Sequence, residues 1–333
     1  MDKDNRKLLG AAAAHPNIAF IKYWGNIDDD LRLAANDSIS MNLAALETAT
    51  SVEFVEDGSL ASDQLFINDT RIVQGALDRV SHFIDIARNM AGIDLPVKVE
   101  SFTNFPMGAG IASSAAAFAA LALATAEAAG LDYSPEFLSR YARRGSGSAC
   151  RSIPGGFVEW RAGKTDEDSF ATSFADVTHW DLVDCIAIIN EDHKPVGSTA
   201  GHALAQTSIL QQARLDDTPR RFEVCKKAIL DKDFEKFAEV VEQDSTVMHA
   251  VMMTSNPPLF YWAPPSLHLM KAIPEWRRSG IPVCFTLDAG ANVHAITTQD
   301  YEKTVEEALE SINGLKSVLK SKVGGGTHLR IKK

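Results

Sequence analysis

A fold mixing β-sheet with α-helix is predicted by three features of the sequence: a β-rich opening, an Ala-rich helix led by a glycine turn, and a helix-rich second half. Residues 15–22 alternate loosely before Tyr23-Trp24 and residues 50–55 alternate again, so polar turns join strands in the opening. From Leu77 the apolar positions Val80, Phe83, Ile84, Ala87 and Met90 recur at three and four, which predicts an amphipathic, half-exposed helix ended by Gly92. Residues 97–101 return to strand character. A glycine-rich turn at 108–112 then opens an uncharged run to Ala126, whose Ala, Gly, Ser and Thr content reads as a buried helix rather than a membrane span. Ser134 caps a helix over 135–144, and a small-residue loop, Gly145-Ser-Gly-Ser-Ala-Cys-Arg-Ser152, follows it. Residues 183–190 and 281–287 read as buried strands, Thr218-Pro219 as the start of two helices running to about Val241, and 301–312 as a helix carried by Val305, Leu309 and Ile312.

Charge and cysteine usage narrow the function. Against 44 acidic side chains stand 33 basic ones, a net charge of −11 over 333 residues, so the chain as a whole has no electrostatic reason to seek nucleic acid or an anionic membrane. An anionic ligand must be met by a local site. Cys150, Cys185, Cys225 and Cys284 are scattered without a Cys-x-x-Cys pair, which fits a reducing cytoplasm better than a disulfide framework. The N-terminal stretch is charged with both signs and lacks a secretory pattern, so export is not expected.

The chemistry concentrates in two loops and two isolated charges. In Pro106-Met-Gly-Ala-Gly-Ile-Ala-Ser-Ser-Ala115, Gly108 and Gly110 let the backbone approach a ligand, and the first turn of the next helix offers unpaired N–H groups to a phosphate. Ser113 and Ser114 add hydroxyls for a phosphoryl oxygen or a magnesium ion; a tight packing turn explains the same residues equally well. Ser113 stands where a dinucleotide fingerprint needs its third glycine, and no Gly-x-x-x-x-Gly-Lys-Ser/Thr occurs, so NAD and Walker-type sites are both disfavoured. Lys22 and Asp288 sit in apolar runs where an unpaired charge is costly, so each needs a partner, and a structural ion pair is the favoured reading of each on these residues alone. The nine histidines show no metal-ligand spacing.

Taken together, five segments resemble the ATP-dependent mevalonate diphosphate decarboxylases of the GHMP kinase superfamily. They are Asn17-Ile-Ala-Phe-Ile-Lys-Tyr-Trp-Gly25, Ala35-Asn-Asp-Ser-Ile-Ser40, the 106–115 turn, Ser146-Gly-Ser-Ala-Cys-Arg-Ser152 with Gly155-Gly-Phe-Val158, and Phe285-Thr-Leu-Asp-Ala-Gly-Ala-Asn292. The resemblance implies an α+β GHMP kinase fold, with an N-terminal ribosomal-protein-S5-domain-2-like, ATP-binding half at 1–182, a C-terminal ferredoxin-like half at 183–333, and a cleft between them. It also implies a homodimer. The implied reaction phosphorylates the tertiary 3-hydroxyl of a phosphorylated mevalonate from ATP with Mg²⁺, then loses phosphate and CO₂.

Residue by residue, the resemblance makes Asp288 the catalytic carboxylate, Lys22 the cation beside it and Arg151 the grip on the substrate carboxylate. Tyr23, Asn26, Ser146, Ser148 and Ser198 fall on substrate positions. Ser101, Asn104, Gly108, Gly110, Ser113 and Ser114 fall on nucleotide positions, with Ser113 also toward magnesium. Two residues depart from the pattern: Asn26 stands where the family usually has Lys, and His202 where it usually has Met. Losing a cation penalises a diphosphate more than a monophosphate, so the expectation leans to 5-phosphomevalonate, giving isopentenyl phosphate. The alternative is 5-diphosphomevalonate giving isopentenyl diphosphate, with Lys194 or Arg144 as the compensating cation. A mevalonate 3-kinase and a silent ligand-binding homologue are the remaining rivals.

Overall fold

The computed structural model describes residues 7–106, 113–191 and 196–330. The predicted turn with Gly108 and Gly110, and Lys194, lie outside the described residues. In chain order the first elements are β1 (Leu9–Ala14), β2 (Asn17–Ile21), β3 (Asn26–Asp28), β4 (Leu33–Ala34), β5 (Ser38–Asn42), β6 (Thr48–Phe54), β7 (Gln64–Ile67) and β8 (Thr70–Ile72). Then come α1 (Gly75–Ala91), β9 (Val97–Thr103), α2 (Ser113–Ala129), α3 (Pro135–Gly145), a 3₁₀ turn (Gly147–Ser152), β10 (Phe157–Trp160) and β11 (Ala171–Ala175). The rest is β12 (Leu182–Ile188), α4 (Ser198–Leu204), α5 (Gln211–Asp231), α6 (Phe234–Met253), α7 (Pro264–Arg278), β13 (Val283–Thr286), β14 (Val293–Thr298), α8 (Glu302–Glu310), β15 (Ser317–Lys322) and β16 (His328–Leu329).

Three sheets organise these elements, in the orders β16-β1-β6-β9-β7-β8, β11-β10-β5-β2 and β13-β14-β12-β15, with β3 and β4 forming a separate hairpin. All pairs are antiparallel except β7 with β9. Helix α2 packs on β1 and β6, and the approach is so close that a Cβ on Gly10 would lie 2.1 Å from the Ala124 carbonyl oxygen. That contact explains why β1 reads Leu-Gly-Ala-Ala-Ala-Ala and α2 is mostly alanine: small side chains on both surfaces let the two backbones meet. A second core joins the two halves of the chain, packing Phe20, Ile39 and Phe157 with Phe222, Phe237 and Val240. Phe20 meets Phe237 edge-on with ring centroids 4.8 Å apart, and burial of each such ring contributes about 1.5–3 kcal/mol.

The expected mixed α+β fold is present, with most boundaries within a few residues. Gly92 ends α1 in the left-handed conformation at φ 61°, and the Ser134 hydroxyl accepts the Phe137 N–H at the start of α3. Two boundaries are corrected: the helix expected to begin at Thr218-Pro219 begins at Gln211, with Pro219 inside α5, and the second helix, expected to end at about Val241, runs on to Met253. The turns before the proline look polar because Gln211, Arg214 and Thr218 face inward, together with Arg221 beyond it, each buried and hydrogen-bonded. Among the described residues no helix is long and apolar enough to cross a membrane, and all four cysteines are buried and unbridged.

Candidate active site

The strand β2 runs out of the core directly into Lys22, Tyr23 and Trp24. The Lys22 main chain is held by groups from distant elements. Its N–H donates to Asp244 Oδ2 at 2.7 Å, and its carbonyl accepts from Asn36 Nδ2 at 2.9 Å and Arg214 Nη2 at 2.6 Å. Asp244 is held in turn by Arg221 Nε at 2.8 Å. With its backbone fixed, Lys22 reaches Asp288, just beyond β13, with Nζ 2.7 Å from Oδ1. The two charges that the sequence left in need of partners thus pair with each other. Lys22 is 2% exposed and Asp288 24%, so the carboxylate is the member open to a ligand.

Arg151 faces this pair from the 3₁₀ turn. It is 3% exposed, donates from Nε to Asn17 Oδ1 and Ser40 Oγ, both at 3.2 Å, and from Nη1 to Ser38 Oγ at 2.7 Å. It has no carboxylate partner among the described residues, and burial lowers its pKa against the pull of Cys150 and Asp288. A buried guanidinium bound only to neutral oxygens keeps its demand for an anion. Tyr23 is packed against Gly147, where a Cβ would lie 2.6 Å from the Tyr23 hydroxyl, which is why this turn carries glycine. Burial pushes the Tyr23 hydroxyl well above its usual pKa, so it acts as a donor, here to Asn26 Oδ1. Asn26 Nδ2 donates onward to Asp29 Oδ1 at 2.7 Å.

Lys22, Tyr23, Ser114, Ser148, Arg151, Ser198 and Asp288 surround one cavity of about 90 Å³, together with Asn17, Trp24, His202 and Met248. Ser146 stands beside it, Oγ 3.1 Å from Ser114 Oγ. A second cavity of about 490 Å³ opens on the other side of Ser114. Leu65, Ile67, Val80, Val99 and Leu121 form its walls, and Ser101, Ser113, Ser114 and Arg79 supply its polar groups. Ser114 lines both. Asn26 and Asn104 line neither; Asn104 instead joins two turns, accepting Glu47 N–H at 2.8 Å and donating to Ala45 carbonyl at 3.0 Å.

Several residues of the site went unmarked in the sequence. Asn17, Ser38 and Ser40 lie inside the motifs but read as ordinary strand residues until Arg151 is placed on them. His202, marked in the sequence only as a departure from the family pattern, lines the first cavity. Three arginines gather around the end of α3: Arg32 Nε donates to Arg144 carbonyl at 3.0 Å, and Arg79 Nη2 to Gly145 carbonyl at 2.6 Å. None of the three has a carboxylate partner among the described residues, and Arg79 lies 4.6 Å from the centroid of the Phe118 ring.

Burial also fixes two histidines as neutral. His202 and His249 are both held down to about 3, first by burial, then by Arg32, Arg214 and Arg151 for His202 and by Lys22 for His249. Each ring takes up a proton near pH 6.5 in the unfolded chain but only near 3 when folded, so their contribution to stability is full above 6.5 and is lost as pH falls. Between pH 6.5 and 5 each should remove roughly 1.4 kcal/mol per pH unit. Chemical denaturation at pH 7 and pH 5 checks this. His202→Gln should lower the slope by about one proton; an unchanged slope would contradict the assignment.

Two family models match the chain: the diphosphomevalonate decarboxylase-like N-terminal domain over residues 14–171 and the mevalonate 5-diphosphate decarboxylase C-terminal domain over 185–330. The diphosphomevalonate decarboxylase of Candida albicans is 38% identical over 303 residues, covering 85% of this chain and 82% of that protein. The phosphomevalonate decarboxylase of Haloferax volcanii is 35% identical over 306 residues, covering 91% and 92%. Among solved structures, mevalonate diphosphate decarboxylase from Staphylococcus aureus superposes with a TM-score of 0.91 at 38% identity, covering 97% of this chain and 98% of that one. MDDEF in complex with MVAPP, AMPPCP and magnesium gives 0.91 at 36%, covering 98% and 99%.

Proposed function

Since the chain belongs to the diphosphomevalonate decarboxylase family and shares its two-part GHMP kinase fold, we propose that it is an ATP- and Mg²⁺-dependent decarboxylase of a 5-phosphorylated mevalonate. The observation that carries this reading is Arg151, a buried guanidinium without a carboxylate partner among the described residues, facing the Lys22–Asp288 pair across one small cavity. A substrate carboxylate on Arg151 sets the neighbouring tertiary hydroxyl toward Asp288, whose carboxylate orients it and accepts its proton while Lys22 keeps that carboxylate ionised. Gripping the substrate carboxylate without protonating it leaves its electrons available to form the double bond as phosphate and CO₂ depart. ATP supplies the phosphoryl group that turns the hydroxyl into a leaving group.

The second cavity suits a nucleotide. Its apolar walls accept a flat base, Ser101, Ser113, Ser114 and Arg79 supply polar groups, and Ser114 also lines Asp288's cavity. Among the described residues no group of three His, Cys, Asp or Glu side chains could hold a metal, so magnesium falls to phosphate oxygens with the Ser113 hydroxyl. A cytoplasmic homodimer completes the reading; the buried, unbridged cysteines are compatible with a reducing compartment.

For the substrate we favour 5-phosphomevalonate. Asn26 offers no cation, and its amide is already engaged by Tyr23 and by the Asp29 carboxylate. A second reading, 5-diphosphomevalonate, has the weight of the relatives behind it, since Candida albicans and most others carry that name. The ratio of kcat/KM for the two substrates decides. On the first reading Asn26→Lys shifts that ratio toward the diphosphate by about 1–3 kcal/mol. An unaltered enzyme that prefers the diphosphate establishes the second reading. A CO₂-to-ADP ratio near zero would instead establish a 3-kinase, and no ADP with any mevalonate derivative a silent binder.

A further inference from the structure

Two edge strands of different sheets end at the Lys22–Asp288 pair. Strand β2 is the outermost strand of one sheet and runs into Lys22; β13 is the outermost strand of another and runs, two residues on, to Asp288. The free side of an edge strand carries N–H groups that must find acceptors when buried. Helix α6 supplies them here from consecutive residues. Asp244 Oδ2 accepts the Lys22 N–H at 2.7 Å, while Ser245 Oγ accepts the Leu287 N–H at 2.9 Å and donates to the Leu287 carbonyl at 3.3 Å. Neighbouring residues on a helix point about 100° apart, so one step along α6 reaches the first strand and the next step reaches the second. His249, one turn further, hydrogen-bonds to the backbone at Asp288 and Leu287.

The helix is itself fixed at this seam. Asp244 Oδ1 is taken by Arg221 Nε at 2.8 Å, and one turn earlier Glu242 Oε1 accepts the Phe285 N–H at 3.3 Å while Arg277 holds both its oxygens, at 2.7 and 2.8 Å. Asp244 and Ser245 are fully enclosed, and neither lines the substrate cavity. Their effect on the chemistry passes through the backbone. An ion pair attracts at every angle, so the attraction between Lys22 and Asp288 does not set which way the carboxylate faces the cavity. The main chain must set it. Resting on the reading of Asp288 as the carboxylate that takes the hydroxyl proton, we infer that Ser245 is a positioning residue of the reaction: beside Asp244, which fixes Lys22, it fixes Leu287, and so sets the spacing and aim of the Lys22–Asp288 pair.

Two variants separate this role from a structural one. Ser245→Ala removes the grip on Leu287 by deleting one oxygen atom; Glu242→Gln breaks the Arg277 ion pair and loosens the same helix from the same strand at Phe285, farther from the reacting carboxylate. Both should melt at a lower temperature, which shows the seam loosened in each. Crystal structures and the kinetics of ADP and CO₂ formation then divide them. Ser245→Ala should lower kcat roughly 10- to 100-fold, the cost of misplacing a reacting group by about 1 Å, with KM for ATP and for the phosphorylated mevalonate within about twofold. Its Lys22 Nζ to Asp288 Oδ1 distance should lengthen from 2.7 Å. Glu242→Gln should keep both kcat and that distance. An unchanged distance or kcat in Ser245→Ala, or an equal loss of kcat in both variants, overturns the positioning role and leaves the proposed reaction standing. No ADP formation by the unaltered chain, with the distance lengthened in Ser245→Ala alone, would overturn the reaction and leave Ser245 as the residue that sets the pair.

Discussion

Replacing Asp288 by Asn should lower kcat by about 10²–10⁴-fold, the usual contribution of a positioned acid–base group, while nucleotide affinity stays the same. The amide has the carboxylate's size and its oxygen can still accept from Lys22 Nζ, now 2.7 Å from Asp288 Oδ1, so the cavity keeps its shape. What is lost is the capacity to take a proton from a bound hydroxyl. Nucleotide binding is spared because residue 288 does not line the second cavity. The substitution also leaves Lys22, 2% exposed, without its counter-charge, so a fall in melting temperature should accompany the loss of turnover. Near-normal ADP formation in a single turnover would remove Asp288 from the reaction.

Arg151→Met should separate function from stability. Activity should fall by about 30- to 5,000-fold in kcat/KM, because truncating one partner of a buried charge-assisted contact costs about 2–5 kcal/mol. The folded protein should be as stable as before or more so. An arginine 3% exposed, hydrogen-bonded only to Asn17, Ser38 and Ser40 oxygens, is charged at a desolvation cost that the Asp288 carboxylate, not in contact with it, offsets only in part. Thermal denaturation and kcat/KM measured on the same preparation check both halves. A variant that loses stability together with activity would show that Arg151 holds the loop rather than the ligand.

The legible parts of the sequence were those where local pattern and tertiary demand agree. Helix α1 has the three-four spacing of a helix with one face in the core, and α3 has a serine cap and a proline at its first position, so both could be read from neighbours alone. Strand β1 could not. Leu-Gly-Ala-Ala-Ala-Ala has no β-branched or aromatic residue, and it is a strand because α2 lies against it too closely for anything larger than alanine. The start of α5 was missed for the opposite reason: Arg214 and Arg221 look like surface residues and are buried, committed to Lys22, Asn36 and Asp244.

The site shows the same division. Lys22 and Asp288 announced themselves as charges in apolar runs, and their pairing satisfies the need each had. His202 was marked only as a departure from the family pattern, because an isolated histidine has no spacing to give it a role; its bond to the Gly25 N–H and the flanking rings are set by the fold. Arg32 was silent. Its place depends on the β3–β4 hairpin and on the carbonyl at the end of α3, which are far apart in sequence.

The bonds around Lys22 have a consequence for how the chain is made. Strand β1, the first of the described elements, is flanked on one side by β16, the last of them. The strand that ends at Lys22 gets its anchoring partners from Arg214 and Asp244, roughly two hundred residues later. A nascent chain that has emerged only as far as β11 can form its alanine-rich layer but holds no oriented lysine and no carboxylate at 288. Catalytic competence therefore arrives late and all at once, and the two halves cannot be exchanged as modules between relatives unless the α5–α6 surface beneath Lys22 is carried with them.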